Sequence, residues 1–363
     1  MLQTAVKPRI LFYTHALLGG GAERVWAQTA AGLFERGYPV QFAVDAEASA
    51  NVHLIPPEMP FHVLGSPHAH AIRRLAGLLR SEKPAYVFSA VGASNVKLLA
   101  AKAMALSPAR AVLSQHGHFE AESRFLGRAA YRLTAVTSRL SSRTVVVSDA
   151  LRDDLITRWK GASNRIVRIY NAIALNPPES VLTRQSLKDR PDRVLAVGRL
   201  VPEKGHVDLI RAIAKLPRSV TLTIAGEGPY RLEVERVIAE LGLAERVQLL
   251  GYQADLAPVY AEAKVFVLPS HTEAFGNVLV EAMGYGLPVI STSCGGPSEI
   301  LGHGRYGRLV PIRGVAEMAD AITSSLADPG EPQDRRTRAE DFSVQRILDQ
   351  YEAFIARLQV AGE

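Results

Sequence analysis

Short apolar runs rich in β-branched and aromatic residues alternate with helix-patterned stretches along the whole chain, and this alternation leaves few folds open. Each run followed by a helical pattern is the raw material of a βαβ unit, which pairs as parallel strands covered by helices. A first series of runs falls at residues 10–13, 40–44, 86–89, 111–114, 144–147 and 166–169. A second falls at 194–197, 221–225, 247–249, 265–268, 289–291 and 308–310. Between them, residues 176–192 carry Pro177, Pro178 and Pro191 among polar side chains, the composition of a linker. The chain has 363 residues, more than one hydrophobic core ordinarily serves. The expected fold is α/β, with two Rossmann-like doubly wound domains in tandem over 1–175 and 193–363 and a cleft between them. A polar stretch at 328–338 precedes a last helical pattern at 343–358, which is long enough to pack back across the first domain.

Composition narrows the function classes. With 47% apolar and 21% charged residues the chain reads as an ordinary globular enzyme. Its net charge of +6 is unevenly spread, with 21 Lys/Arg against 11 Asp/Glu up to residue 170 and 21 against 25 beyond it. A basic first half suits an anionic surface or ligand. Nucleic acid is disfavoured as the partner, because that half lacks interleaved aromatics, zinc-finger spacing and any RNA-recognition signature. No uninterrupted apolar run reaches the roughly 18 residues of a membrane span, and residues 1–9 carry no signal pattern, so a cytoplasmic protein is expected. Cys294 is the only cysteine, which excludes an intrachain disulfide and any multi-cysteine metal site and leaves it as a small core residue.

In doubly wound sheets, ligands gather beyond the C-terminal strand ends, where glycine loops and helix N-termini bring N–H groups toward an anion. Gly19, Gly20 and Gly21 follow the first strand and open a helix. A tight turn explains that triplet as well as a phosphate site does. Gly198-Arg199-Leu200-Val201-Pro202-Glu203-Lys204-Gly205 follows the first strand of the second series and places two cations at its sheet edge, where they can neutralise a diphosphate. The alternative is a solvated loop. Ala225-Gly226-Glu227-Gly228-Pro229 closes the next strand with a second glycine turn. The stretch from Pro269 to Met283 leaves a strand, passes Glu273, Phe275, Gly276 and Asn277, and carries Glu281 inside the following helix. Two acids so spaced can reach opposite ends of one polar ligand, or be an ordinary surface pair.

This stretch resembles the Glu, seven residues, Glu motif of retaining GT-B glycosyltransferases, and the wording around it is similar to glycosyltransferase family 4. The likeness extends over Gly-Gly-Gly-Ala-Glu-Arg from Gly19, Gly-Arg-x-x-x-x-Lys-Gly from Gly198, Ala-Gly-x-Gly-Pro from Ala225, Glu-Ala-Met-x-x-Gly-x-Pro-Val-Ile from Glu281 and Gly-Gly-Pro-Ser-Glu from Gly295. It implies the GT-B fold and a nucleotide-sugar donor, a UDP-sugar ahead of a GDP-sugar. Arg199 and Lys204 would hold the diphosphate, Glu273 would touch hydroxyls of the transferred sugar, and Glu281 would bind the ribose. Gly20, Gly21, Gly198, Gly226 and the backbone of Phe275, Gly276 and Asn277 would line the donor. His116 takes the place of a family histidine beside the donor sugar and joins Glu273, Arg199 and Lys204 as a catalytic candidate, with His118 and His15 as competitors. The transferred group would be a hexosyl or N-acetylhexosaminyl unit, and the acceptor a glycolipid, a polysaccharide or a small soluble molecule.

The resemblance implies retention of configuration, with same-face attack and the departing phosphate helping to take the acceptor proton. Such chemistry asks for positioning and charge stabilisation rather than a nucleophile. No Asp-x-Asp element for a divalent cation occurs, so neither metal nor other cofactor is expected. A dehydrogenase would want Gly-x-Gly-x-x-Gly, and Glu23, Arg24 and Val25 stand where the third glycine would be sought. A sugar-nucleotide-binding protein without transferase activity leaves the joint placement of Arg199, Lys204 and the two glutamates unexplained. Lastly, residues 123–143 read as one helix in which Arg124, Arg128, Arg132, Arg139 and Arg143 accompany Phe125, Leu126, Leu133, Val136 and Leu140. That pattern suits docking on the cytoplasmic face of an anionic membrane, and equally a core-packed helix with a basic solvent face.

Overall fold

The computed structural model describes residues 7–18, 20–46, 51–122, 125–175 and 183–360. Two compact units divide the chain, Met1–Ala172 together with Val344–Glu363, and Ile173–Ser343. Of the expected linker, residues 176–182 lie outside the described residues and 183–192 are described.

In the first unit the strands are β1 (Ile10–Thr14), β2 (Val40–Val44), β3 (Phe61–Val63), β4 (Tyr86–Ala90), β5 (Arg110–Gln115), β6 (Arg143–Val146) and β7 (Ile166–Arg168). They form a parallel sheet in the order β3-β2-β1-β4-β5-β6-β7. Its helices are α1 (Gly21–Glu35), α2 (His68–Glu82), α3 (Gly92–Ala105), α4 (Phe125–Arg132), α5 (Thr134–Leu140) and α6 (Asp149–Thr157). All of β1 is buried because both sheet faces are covered. Alternation sends Ile10 and Phe12 to one face, with Trp26 of α1, and Leu11 and Tyr13 to the other, with Leu75 and Leu98.

The second unit adds α7 (Arg184–Lys188), α8 (His206–Ala214), α9 (Arg231–Glu240), α10 (Ala257–Glu262), α11 (Asn277–Gly284), α12 (Gly296–Ile300), α13 (Val315–Ala327) and α14 (Pro332–Glu340). They surround β8 (Arg193–Val197), β9 (Thr221–Ala225), β10 (Val247–Gly251), β11 (Val265–Leu268), β12 (Val289–Thr292) and β13 (Arg308–Val310). The parallel order is β10-β9-β8-β11-β12-β13. Strand order reverses where β8 meets β11, so the loops after those two strands open on either side of a crevice, the place where such sheets take ligands.

The final helix, α15 (Val344–Val360), belongs to the first unit. Its Ile347, Leu348, Tyr351, Phe354, Ile355 and Leu358 recur at helical spacing and enter the core under β1 and β4. Arg36 beyond α1 fastens it through Asp349 at 2.7 Å, Glu352 at 2.6 Å and the Gln345 carbonyl at 3.0 Å.

Three local expectations are corrected. Residues 123–143 are not one helix: α4 and α5 break at Leu133, and Arg143 opens β6. Ser123 and Arg124 lie outside the described residues. The polar stretch at 328–338 contains most of α14, a helix held by side chain to backbone bonds rather than by an apolar stripe. The five residues of α7 form a helix inside the expected linker, capped by Thr183.

Candidate donor site

The second unit gathers nine expected residues: Gly198, Arg199, Lys204, Gly226, Glu273, Phe275, Gly276, Asn277 and Glu281. Its backbone is built for close approach. A Cβ on Gly226 would stand 1.9 Å from the Gly198 carbonyl oxygen, and one on Gly205, at φ +67°, would stand 2.0 Å from that of Pro269. Only glycine tolerates either position. The loops are stitched together by Gly198 N–H to Ala225 O (3.0 Å), Leu200 N–H to Glu227 O (3.0 Å) and His271 N–H to Glu203 O (2.8 Å). The rigid result brings the loop after β8 against the loop after β11.

At that junction the Lys204 ammonium pairs with Glu273 Oε2. Both side chains are largely buried, at 21% and 17% exposed, so the pair is more than a screened surface contact. Arg199, from the same loop, is 69% exposed and 3.8 Å from Glu203. Its guanidinium therefore extends into solvent from the loop that also carries Lys204. Gly276, at φ +103°, turns the chain into α11, and Asn277 begins the helix. Phe275 is buried on Phe342 at 5.5 Å, so it contributes packing along with its backbone. Glu281, inside α11, accepts a 2.9 Å hydrogen bond from the buried Tyr260 hydroxyl, and Tyr260 stacks on Tyr285 at 5.1 Å. An ionised carboxylate can accept several hydrogen bonds at once.

Four residues of this site were missed in the sequence. Tyr260 orients Glu281. Asp208 on α8 meets His271 at 2.7 Å and holds the loop that carries Glu273. His206, the first residue of α8, is buried against the backbone of Gly198 and Arg199, with neither ring nitrogen in hydrogen-bond geometry. Burial, helped by the charge of Lys204, pushes its imidazole down to about 4. His271 lies inside the stretch singled out above and could have been found there; the other three lie outside the quoted loops or at their margin. Cys294 is buried as expected, and burial pushes its thiol up to about 11.

His116, Gly20 and Gly21 belong to the first unit. His116 accepts from Ser114 at Nε2 (2.9 Å), donates from Nδ1 to Asn171 (3.2 Å) and meets the edge of Trp26 at 5.8 Å. Burial pushes this imidazole down to about 4, so it is neutral at pH 7. His118 lies 3.7 Å from Asp154, and His15 hydrogen-bonds Asp45 at 3.0 Å. Gly20 caps α1 with extended backbone, and Glu23 folds back to accept from the N–H groups of Leu18 and Gly20. The chain's own carboxylate thus already uses amides an anion would take. Gly19 lies outside the described residues.

Comparison with known proteins agrees with this architecture. The family described as Glycosyl transferases group 1 matches residues 181–342, and Glycosyltransferase Family 4 matches residues 19–176. The lipopolysaccharide core biosynthesis glycosyltransferase LpsE of Rhizobium meliloti is 34% identical over 168 residues, 45% of this chain and 49% of that protein. The N-acetylgalactosamine-N,N'-diacetylbacillosaminyl-diphospho-undecaprenol 4-alpha-N-acetylgalactosaminyltransferase of Campylobacter jejuni is 34% identical over 178 residues, 48% of each chain. The matched stretches thus span about half the length of these curated relatives. Among solved structures, Anabaena HepE in complex with UDP and glucose superposes with a TM-score of 0.82 at 25% identity, covering 96% of this chain and 99% of that one.

Proposed function

The chain belongs to the glycosyl transferases group 1 and has the GT-B fold, and from that premise we propose that it moves a hexosyl or N-acetylhexosaminyl unit from a nucleotide-sugar to a glycolipid or polysaccharide acceptor. The observation that carries this is the Lys204–Glu273 ion pair, largely buried where strand order reverses, with Arg199 extended from the same loop as Lys204. A diphosphate entering the crevice replaces Glu273 as the partner of Lys204 and draws in Arg199, so two cations meet the charge that grows on the leaving group. Glu273, released, accepts hydrogen bonds from hydroxyls of the transferred sugar. Glu281, oriented by Tyr260, accepts from the ribose. The opening N–H groups of α11 add their dipoles to the phosphate side.

UDP is favoured as the nucleotide by the complex of HepE with UDP and glucose. Two cations at the leaving group take the place of a divalent metal, and the family likeness supports retention, with the departing phosphate taking the acceptor proton on the same face. Two relatives are named for lipopolysaccharide core synthesis and for a diphospho-undecaprenol substrate, which supports a lipid-linked or polysaccharide acceptor.

A peripheral membrane position fits that acceptor. Phe125 (80% exposed) and Leu140 (64% exposed) stand out from α4 and α5 along with Leu126, Leu133 and Val136, and residues 125–143 contain Arg128, Arg132, Arg139 and Arg143 but no acid. No helix among the described residues is long and apolar enough to cross a membrane, so the contact would be interfacial.

The test is a panel of UDP- and GDP-sugars with a readout of released nucleotide, followed by NMR of the product's anomeric centre. Donor-dependent release and a product with the donor's anomeric configuration are expected. Binding without release, or an inverted product, would contradict the proposal.

A further inference from the structure

A second polar cluster lies in the first unit, where β1 and β2 end. Asp45, 3% exposed, is reached by three donors: the Tyr13 hydroxyl at 2.8 Å on Oδ1, and His15 Nδ1 at 3.0 Å and the Lys97 ammonium on Oδ2. Burial alone would raise its carboxyl; the bonds from His15 and Lys97 outweigh that and hold it below the usual range. The backbone closes the same corner, since the N–H groups of Asp45 and Ala46 both donate to the His15 carbonyl, at 3.0 and 3.1 Å. His68, the first residue of α2, stands with its ring 5.9 Å from that of His15.

The arrangement fixes which ring nitrogen of His15 turns inward. An ionised carboxylate only accepts, so Nδ1 carries a proton, and in the neutral ring Nε2 is then the acceptor on the far side. The His15 side chain is 38% exposed while its partner is buried, so the inward nitrogen is fixed and the outward one meets solvent at the ligand-binding edge of the sheet. His15, Asp45 and His68 bring three ligand-type atoms within 4.8 Å, but Lys97 already balances the Asp45 charge, which favours a neutral donor over a divalent cation. A sugar hydroxyl is such a donor.

We propose that His15 is an acceptor-binding residue whose Nε2, set in place by Asp45, accepts a hydrogen bond from an acceptor hydroxyl. This rests on the transferase reading and adds to it a contact made by the first unit. Asp45, Tyr13 and Lys97 are then positioning residues.

Two variants separate this role from a structural one. His15→Asn can still donate to Asp45 from its amide, in the place of Nδ1, but presents nothing where Nε2 was. His15→Gln can reach the Nε2 position with its amide oxygen but no longer satisfies Asp45 in the same way. With a nucleotide-sugar donor and n-octyl β-D-glucoside, galactoside or N-acetylglucosaminide as the probe acceptor, nucleotide release is measured with and without the glycoside. His15→Asn is expected to raise the glycoside KM about 2- to 13-fold, the worth of one hydrogen bond, and more than it changes the donor KM. His15→Gln should lie closer to wild type in glycoside KM and melt lower. A normal glycoside KM in His15→Asn would overturn the inference and leave His15 as a strut for Asp45. So would a wild type that hydrolyses the donor at a rate no glycoside raises. A wild type that neither binds nor turns over any nucleotide-sugar would instead overturn the transferase reading on which the inference stands.

Discussion

Breaking the Lys204–Glu273 pair should separate what it does for folding from what it does for chemistry. Removing the ammonium in Lys204→Met leaves Glu273, 17% exposed, with the Ser270 hydroxyl at 3.5 Å as a much weaker side-chain partner. An unpaired, largely buried carboxylate costs about 2 kcal/mol, less than for a fully buried pair. For a unit of this size that lowers the melting temperature by roughly 4–8 °C. Glu273→Gln strands Lys204 in the same way and should cost a similar amount. The double variant Lys204→Met/Glu273→Gln removes both charges, so its stability should lie closer to wild type than that of either single variant, with a coupling energy of about 3 kcal/mol in the cycle. Turnover should not return. On the proposed roles, in which Lys204 stabilises the leaving diphosphate and Glu273 holds the sugar, all three variants should lose about 100-fold or more in nucleotide release. Thermal melting and nucleotide release on the same preparations give both readouts. Strictly additive stability effects, or a double variant with near-normal turnover, would refute the reasoning.

Further outcomes are expected. The buried His206 is neutral in the fold, with its imidazole pushed down to about 4 from 6.5. As pH falls below 6.5 the unfolded chain takes up a proton that the folded one refuses, so stability drops toward pH 4 by about 3 kcal/mol, and His206→Gln should flatten that part of the curve; an unchanged pH profile would count against a buried neutral His206. Activity should survive a chelator, and complete loss in EDTA with rescue by magnesium or manganese would reveal a metal requirement. Co-sedimentation with anionic liposomes should weaken as salt rises, and more so for a Phe125→Ser/Arg132→Glu/Leu140→Ser variant, whereas equal binding to neutral vesicles or none to either would remove α4 and α5 as a membrane contact.

The two sheets were legible because their strands are buried on both faces and so appear as unbroken apolar runs, as in Ile10–Thr14 and Val265–Leu268. β3 was not, because Phe61–Val63 is three residues long, only partly buried, and has His62 at its centre. α14 escaped notice for a different reason. Its sequence has no apolar stripe, and it is held by Arg335 on the Gly286 carbonyl at 2.9 Å and Arg338 on the Glu299 carbonyl at 2.8 Å, partners 49 and 39 positions away. The break at Leu133 is likewise invisible to periodicity, since both halves keep arginines and apolar residues at helical spacing. At the candidate donor site, Arg199, Lys204, Glu273 and Glu281 stand in contiguous motifs after strand ends, so the sequence singles them out directly. Their supports could not: Asp208 meets His271 across 63 positions and Tyr260 meets Glu281 across 21, contacts that only the folded chain brings about.

The central claim, that the second unit holds a nucleoside diphosphate between the loops after β8 and β11, is tested most directly by melting the protein in saturating UDP, GDP and NAD. At about 100 times its dissociation constant a nucleotide bound only to the folded state adds about 2.7 kcal/mol, or roughly 5–11 °C for a unit of this size. The account predicts a shift of that order with UDP, none with NAD, and its loss in an Arg199→Ala/Lys204→Ala variant that still folds. A shift with NAD but not with UDP or GDP, or an undiminished UDP shift in that variant, would contradict it.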